Sequence, residues 1–211
     1  MLNPIKNLND NNIHPSKFQR MIKENDTKLV KKAKQGDGSA FGKLVKKYQN
    51  KVLYLAYDLI GNYTDAQDVA QNVFLQAFQN IIYFRDEASF STWIYKITTN
   101  AAIDFQRSRK RRKSLFIDQP PHQDQQTISI ENIEDPYQAV EKKIEYADLR
   151  DLISRTVEEL SPQQKAAFVL KHFHDKSTEE IAKIIECDPV TVRGHILRAT
   201  LKLRKKLKDE R

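Results

Sequence analysis

Thr191, Arg193, His195, Arg198 and Lys202 fall in one basic segment near the C-terminus, which continues through Arg204, Lys205 and Lys206. Guanidinium and ammonium groups donate hydrogen bonds to phosphate oxygens, and arginine can also pair bidentately with the edge of guanine. The chemistry on offer is recognition of a polyanion rather than bond making. Two helices joined by a tight turn are the elements that would position these groups. Ser177 suits the cap of the first helix, and Glu180 at its third position completes a capping-box pattern. Ile181, Ala182 and Ile185 give that helix an apolar side. Asp188 suits the cap of the second helix, with Pro189 at its first position, where a missing N–H costs nothing. Val192, Ile196 and Leu197 are its expected buried stripe. A capped short helix, a tight turn and a basic second helix make a helix-turn-helix, whose second helix suits the DNA major groove. The same pattern also describes a helical hairpin with a solvated charged face.

A second constellation lies in mid-chain. Phe84, Phe90, Trp93 and Tyr95 precede Lys96, Asn100, Arg107, Arg109, Lys110, Arg111, Arg112 and Lys113. Aromatic rings beside a cationic track hold single-stranded nucleic acid, by stacking on bases and neutralising phosphates. Asn80 and Arg85 supply polar groups for an unstacked base. Trp93 and Phe90 fall on the apolar side of their helix and are expected to be partly core, whereas Tyr95 and Lys96 point elsewhere as contact candidates. Arg107, Arg109, Lys110, Arg111 and Arg112 read as phosphate contacts, with a solvated helix end or linker as the alternative.

Catalysis has little support. The chain has no phosphate-cradling glycine loop and no pair of metal ligands at helical spacing. His172 and His174 are two residues apart and so face different sides of a helix. Cys187 is the one cysteine, which excludes an internal disulfide and a cysteine-based zinc site. In its turn it reads as a packed thiol. No metal, no cofactor and no enzymatic activity are expected. Basic residues exceed acidic ones by 36 to 28, a net charge of +8, which favours a polyanionic partner. No apolar run is long enough to span a bilayer, and the polar stretch 1–25 contains no apolar signal core. A cytoplasmic protein without membrane insertion is the expectation.

Five glycines and seven prolines among 211 residues point to an almost entirely helical chain. Residues 1–25 read as a loose or partly helical extension. A first helix is expected from Asp26 to about Gln35, stopping at Gly36-Asp37-Gly38. A second carries Phe41, Leu44, Val45, Tyr48, Val52, Leu55 and Leu59 and ends at Gly61-Asn62. A third, starting after Thr64, stacks Ala66, Val69, Ala70, Val73 and Ala77 on one face. A fourth opens at Ser89 or Ser91. These stripes can pack as one helical domain over 26–113. From Ser114 to Glu141 there is no Lys or Arg, and Asp118, Asp124, Glu131, Glu134 and Asp135 make 114–136 an acidic linker. Helical periodicity resumes near Tyr137, and Leu160-Ser161-Pro162-Gln163-Gln164 is a further helix start with a capping-box pattern. Residues 137–211 form a small helical unit that includes the helix-turn-helix. The fold class is all-α: two small helical domains joined by a flexible acidic linker.

In these motifs the chain resembles an RNA polymerase sigma factor of the extracytoplasmic-function group in the sigma-70 family. Gly36-Asp37, Ala40-Phe41, Leu44 and Tyr48 are similar to that family's opening helix. Asp65-Ala66, Asp68-Val69 and Val73 to Phe78 resemble the segment that docks on the polymerase clamp. Phe90 to Tyr95, Ile97, Asn100, Asp104 and Arg107 resemble the helix that opens the promoter's −10 box. Leu160 to Gln163, Ile181-Ala182, Thr191-Val192-Arg193 and Arg198-Ala199 resemble the −35-reading domain. The resemblance implies a non-catalytic specificity subunit whose partners are core RNA polymerase, duplex −35 and single-stranded −10 promoter DNA, and an anti-sigma factor. It assigns polymerase contact to Asp65, Asp68, Gln71, Asn72 and Leu75. Asn72 stands where the family often has an acid, Glu186 where it often has a turn glycine, and His195 and Thr200 where basic residues are frequent. A stand-alone helix-turn-helix regulator working without polymerase is the competing reading; it leaves the aromatic-basic helix without a role.

Overall fold

The computed structural model describes residues 26–85, 88–115, 156–157 and 159–209. Its helices are α1 over 26–34, α2 over Gly38–Ile60, α3 over Tyr63–Asn80, α4 over Phe90–Leu115, α5 over Pro162–His172, α6 over Thr178–Ile185 and α7 over Pro189–Asp209. A single 3-10 turn at Ile81–Tyr83 links α3 towards α4. No strand occurs among the described residues. The extension 1–25, linker residues 116–136 and the expected helix near Tyr137 lie outside them. Ser114, expected to open the linker, is instead within the last turn of α4.

Local chemistry sets most of these boundaries. Asp37 accepts a hydrogen bond from the Ala40 N–H at 3.0 Å and so opens α2. Gly61 closes it with φ 81°, and its N–H donates to the Tyr57 carbonyl at 2.8 Å. The very next residue, Asn62, caps α3 by accepting from the Asp65 N–H at 3.0 Å. Consecutive stop and start signals thus fold α2 against α3. Because Asn62 takes the cap, α3 begins at Tyr63, slightly earlier than expected. Ser89 opens α4 by accepting from the Thr92 N–H at 3.1 Å. At α5 only half of the expected capping box forms. Ser161 accepts from the Gln164 N–H at 3.4 Å, while Gln164 Oε1 has no partner among the described residues.

The N-terminal core is built by α2, α3 and α4 around Leu44, Val52, Leu55, Val73 and Ile94, all 0% exposed. Each such side chain contributes about 1.5–3 kcal/mol relative to exposure. Polar tethers fix the periphery: the Tyr48 hydroxyl donates to Asp26 Oδ2 at 2.6 Å, and Lys47 pairs with the same carboxylate. The Lys34 ammonium donates to the Phe84 carbonyl at 2.8 Å and pins the loop that precedes α4. The C-terminal core joins Val169, Leu170, Ile181, Ile184, Val192 and Ala199. Leu197 is 59% exposed rather than buried. At about 100° per residue it lies about 140° from Val192, so Ile196, Ala199 and Leu203 continue the stripe instead.

The two units also meet each other, α6 against α4 and α5 against α2. His174 Nε2 lies 2.9 Å from Asp58 Oδ2, and Lys96 Nζ donates to Glu186 Oε1 at 2.6 Å.

Candidate nucleic-acid interface

The helix-turn-helix forms as its residue types require. Ser177 Oγ accepts from the Glu180 N–H at 3.1 Å and Glu180 Oε2 from the Ser177 N–H at 2.9 Å, a complete capping box. Glu186 then takes the left-handed conformation, φ 54° and ψ 52°, where a glycine would carry no Cβ penalty. The chain therefore makes its tight turn with a strained carboxylate-bearing residue. On α7, Thr191, Arg193, Arg198 and Lys202 are exposed. At about 100° per residue, Thr191, His195, Arg198 and Lys202 share one side within about 60°, whereas Arg193 projects from another. His195 is half-buried, and its Nδ1 is buried without a partner among the described residues. Burial and then the neighbouring Arg198 guanidinium hold its pKa below the ordinary imidazole value. A proton would add an unpaired buried donor there, so the neutral ring is favoured.

The mid-chain constellation is arranged differently from its sequence appearance. Phe84 and Phe90 are 5% and 3% exposed. Their rings pack on each other and on Trp93, with centroids 5.1 Å apart for Phe84–Trp93 and 5.7 Å for Phe90–Trp93. Phe84, expected as a contact, is thus a core ring that supports the half-buried Trp93. Tyr95 is 4% exposed, against the expectation that it points outward. The second unit covers it: His174 stands edge-on to its ring at 5.7 Å and Lys176 Nζ lies 4.4 Å above the ring centroid. Burial, then Glu180 and Asp58, push its phenol up to about 12, so it stays neutral. Burial likewise lowers the Lys176 pKa.

Arg85 and Asn100 are exposed, as is Asn80, whose side-chain amide donates to the Gln76 carbonyl at 2.8 Å. Tyr83, which sequence reasoning passed over, is 73% exposed and joins Arg85, Trp93 and Lys96 in lining a cavity of about 660 Å³. Lys183, Glu186, Cys187 and Asp188 of the helix-turn-helix line its other wall. Cys187 is a free, half-buried thiol whose pKa burial and then Asp188 raise, which keeps it in the unreactive protonated form.

The basic run is helical to the end of α4, so its five cations cannot share one face. At about 100° per residue, Arg107, Lys110 and Arg111 fall within about 100°, and Arg109 and Arg112 on the opposite side. Arg109 approaches Asp65 at 3.8 Å, and Arg107 pairs with Asp104 at 3.3 Å. On α3, Asp68, Gln71, Asn72 and Leu75 are exposed, while Asp65 is half-buried in the first turn, where its charge suits the helix dipole. Phe78, 55% exposed, extends the apolar surface of Leu75. Its signal was an apolar residue three positions on from Leu75, away from the Ala66–Val73–Ala77 stripe.

A helical unit carrying an aromatic-cationic helix, followed by a helix-turn-helix unit, defines an all-helical protein with two candidate nucleic-acid surfaces. Residues 44–112 match the family model for sigma-70 region 2, and residues 150–203 that for sigma-70 region 4. The chain is 34% identical to the RNA polymerase sigma-H factor of Pseudomonas aeruginosa over 184 residues, 85% of this chain and 92% of the relative. It is 32% identical to the ECF RNA polymerase sigma factor SigW of Bacillus subtilis over 192 residues, 91% of this chain and 100% of the relative. With the ECF RNA polymerase sigma-E factor of Escherichia coli (strain K12) it shares 34% over 179 residues, 82% and 90% of the two chains. The structure of CnrH in complex with the cytosolic domain of CnrY has a TM-score of 0.61 at 22% identity, covering 89% of this chain and 99% of that one, a likeness of fold. The chain belongs to the extracytoplasmic-function sigma factors of the sigma-70 family. It is a polymerase-associated factor that directs transcription initiation to promoters, and the stand-alone regulator falls away.

Proposed function

We propose that the two units divide promoter recognition between them, with no catalytic step of their own. α7 enters the major groove of the −35 element, where Arg193 and Arg198 contact bases or phosphates and Lys202 holds the backbone. Thr191 and His195 share the side of Arg198 and Lys202, Arg193 reaches from the other side of the helix, and a neutral His195 acts as a hydrogen-bonding group rather than a charge. A bidentate arginine–guanine pair discriminates by about 1–3 kcal/mol. The exposed side of α3, with Asp68, Gln71, Asn72, Leu75 and Phe78, docks on core polymerase; Asp65 contributes from its edge.

Strand separation follows from capture of an unpaired −10 base in the cavity beside Trp93, with Tyr83, Arg85 and Lys96 at its rim. That capture must offset a few kcal/mol of lost stacking. Asn80 and Asn100, both exposed, supply further polar contacts, and Tyr95, which His174 and Lys176 cover, is not one of the free groups. The protein acts in the cytoplasm and is held in check by an anti-sigma factor. Among the described residues no helix is long and apolar enough to cross a membrane. The observation that carries this reading is the pairing of a cation-rimmed aromatic cavity with a capped helix-turn-helix in one chain. Run-off transcription with purified core polymerase on genomic promoter fragments tests it. Promoter-specific transcripts that shift or vanish with Arg193→Ala and Arg198→Ala are expected; unchanged start-site choice in both variants refutes the assignment.

A further inference from the structure

We infer that α7 reads the −35 element partly through methyl groups: Val190 and Leu197, with Leu201 behind them, form an apolar ridge that meets the C5-methyl of thymine in the major groove. This rests on the role proposed above for α7. Val190 is 69%, Leu197 59% and Leu201 54% exposed, whereas Val192, Ala199 and Leu203 on the same helix are buried. The exposed apolar residues are not scattered. At about 100° per residue, Val190, Gly194, Leu197 and Leu201 all fall within about 60° of one another. Val192, Ala199 and Leu203 lie about 180–220° round from Val190, on the opposite side. The ridge is therefore the part of α7 that stands farthest from its own core, and the part that reaches deepest into a groove.

The cations sit on the flanks of this ridge and not on its crest. Arg193 lies about 60° to one side of Val190, and Arg198, Thr191 and Lys202 about 80–120° to the other, all of them exposed. A helix in the major groove has a phosphate backbone on either side and base edges in front of it. Charged flanks around an uncharged crest match that division of the surface. Among the groups that base pairs present in this groove, the thymine methyl is the apolar one, and the others are hydrogen-bond donors and acceptors. An aliphatic crest set against donors and acceptors strips their water without replacing its bonds. It therefore favours base pairs that turn a methyl towards it. Gly194 interrupts the crest, and the Arg198 side chain folds back over the gap: a Cβ at Gly194 would stand 3.8 Å from Arg198 Nη2. One forked donor is thus held beside the ridge, within reach of a guanine next to the thymine.

Every base pair carries one pyrimidine whose C5 edge faces the major groove, so the whole element can be scanned. The assay is equilibrium binding of the full chain, in complex with core polymerase, to a duplex promoter found by run-off transcription. Within the −35 element each thymine is replaced singly by uracil, which removes only the methyl. Each cytosine is replaced singly by 5-methylcytosine, which adds only the methyl. Burial of one methyl corresponds to about four-fold in affinity. Wild type is expected to change by about that factor at one or two positions, weaker with uracil or tighter with 5-methylcytosine, and by less than about 1.5-fold elsewhere. Val190→Ala and Leu197→Ala each bring the ratio close to one at the position the lost side chain faces, and Leu197→Met keeps it. A flat scan in wild type overturns the reading, as do methyl effects that survive in both alanine variants. Affinity lost equally on methylated and unmethylated DNA also overturns it, because the ridge then covers protein, such as polymerase or a second copy of this chain. Run-off transcription with Arg193→Ala and Arg198→Ala separates the two ideas. Unchanged start sites refute the −35 role itself, whereas shifted start sites with a flat scan refute only the ridge.

Discussion

The helical course of the basic run yields a prediction that the residue list alone would not. Arg107, Lys110 and Arg111 project from one side of α4, and Arg109 and Arg112 from the other, with Arg109 turned towards Asp65 at 3.8 Å. A DNA backbone running along one side of this helix meets three of these cations, not five. Each phosphate neutralised contributes about 0.9 to the slope of log K against log salt on duplex DNA. Replacing Arg107, Lys110 and Arg111 together by alanine therefore flattens the slope by about 2.7. Across a rise from about 50 to 200 mM salt, the wild type would lose about 40-fold more affinity than this triple variant. The Arg109→Ala, Arg112→Ala pair removes nearly as much charge and is expected to leave the slope unchanged. Fluorescence anisotropy of the polymerase-bound chain on a promoter found by run-off transcription, repeated over a salt series, measures both slopes. Equal flattening by the two sets would refute the one-sided contact and return the run to a diffuse cationic tail.

Three further outcomes follow from local geometry. Tyr48→Phe leaves the buried Asp26 carboxylate without its hydroxyl donor, at a cost of about 1.5–3 kcal/mol, since the acceptor is a charged-type group. A calorimetric Tm lowered by roughly 3–12 °C is expected, and a change within about 0.5 kcal/mol would exclude a structural role for the tether. Ser177→Ala removes one arm of the capping box and destabilises by about 1 kcal/mol in denaturant titration, with Ser177→Asp recovering most of it; equal losses in both would show that the cap is not the cause. His195, with its pKa held below the ordinary value of about 6.5, stays neutral above that pH. Duplex binding by wild type and His195→Gln should run parallel from about pH 7 upward. Below about pH 6.5 the unfolded chain takes up the proton first, so wild type loses stability relative to the variant as pH falls; the opposite trend in urea titrations would show a raised pKa.

Much of the fold was legible because its determinants act within one helical turn. Gly61 and Asn62 end one helix and begin the next through bonds to residues three or four positions away. Ser177 and Glu180 satisfy each other across the same short distance, whereas the left-handed conformation of Glu186 is one of two turn shapes its residue type left open. The stripe of α2 from Leu44 to Leu59 is buried as its spacing demands. The misreadings share a different origin. Leu197 is apolar but falls on the wrong side of α7, where Val192, Ala199 and Leu203 already complete the stripe. Phe84 looked like a stacking platform, yet it packs behind Trp93, while Tyr83 next to it is the ring that faces outward.

From sequence alone came the helices, their caps, the helix-turn-helix and the promoter-reading class, since each depends on neighbours in the chain or on motifs that survive being read one residue at a time. Only the tertiary arrangement decided which candidate groups are free to meet DNA. Tyr95 is closed off by His174 and Lys176, and Lys96 is engaged by Glu186, 90 positions away. Exposure is a property of what the rest of the chain brings alongside, and no periodicity within α4 encodes the approach of α6.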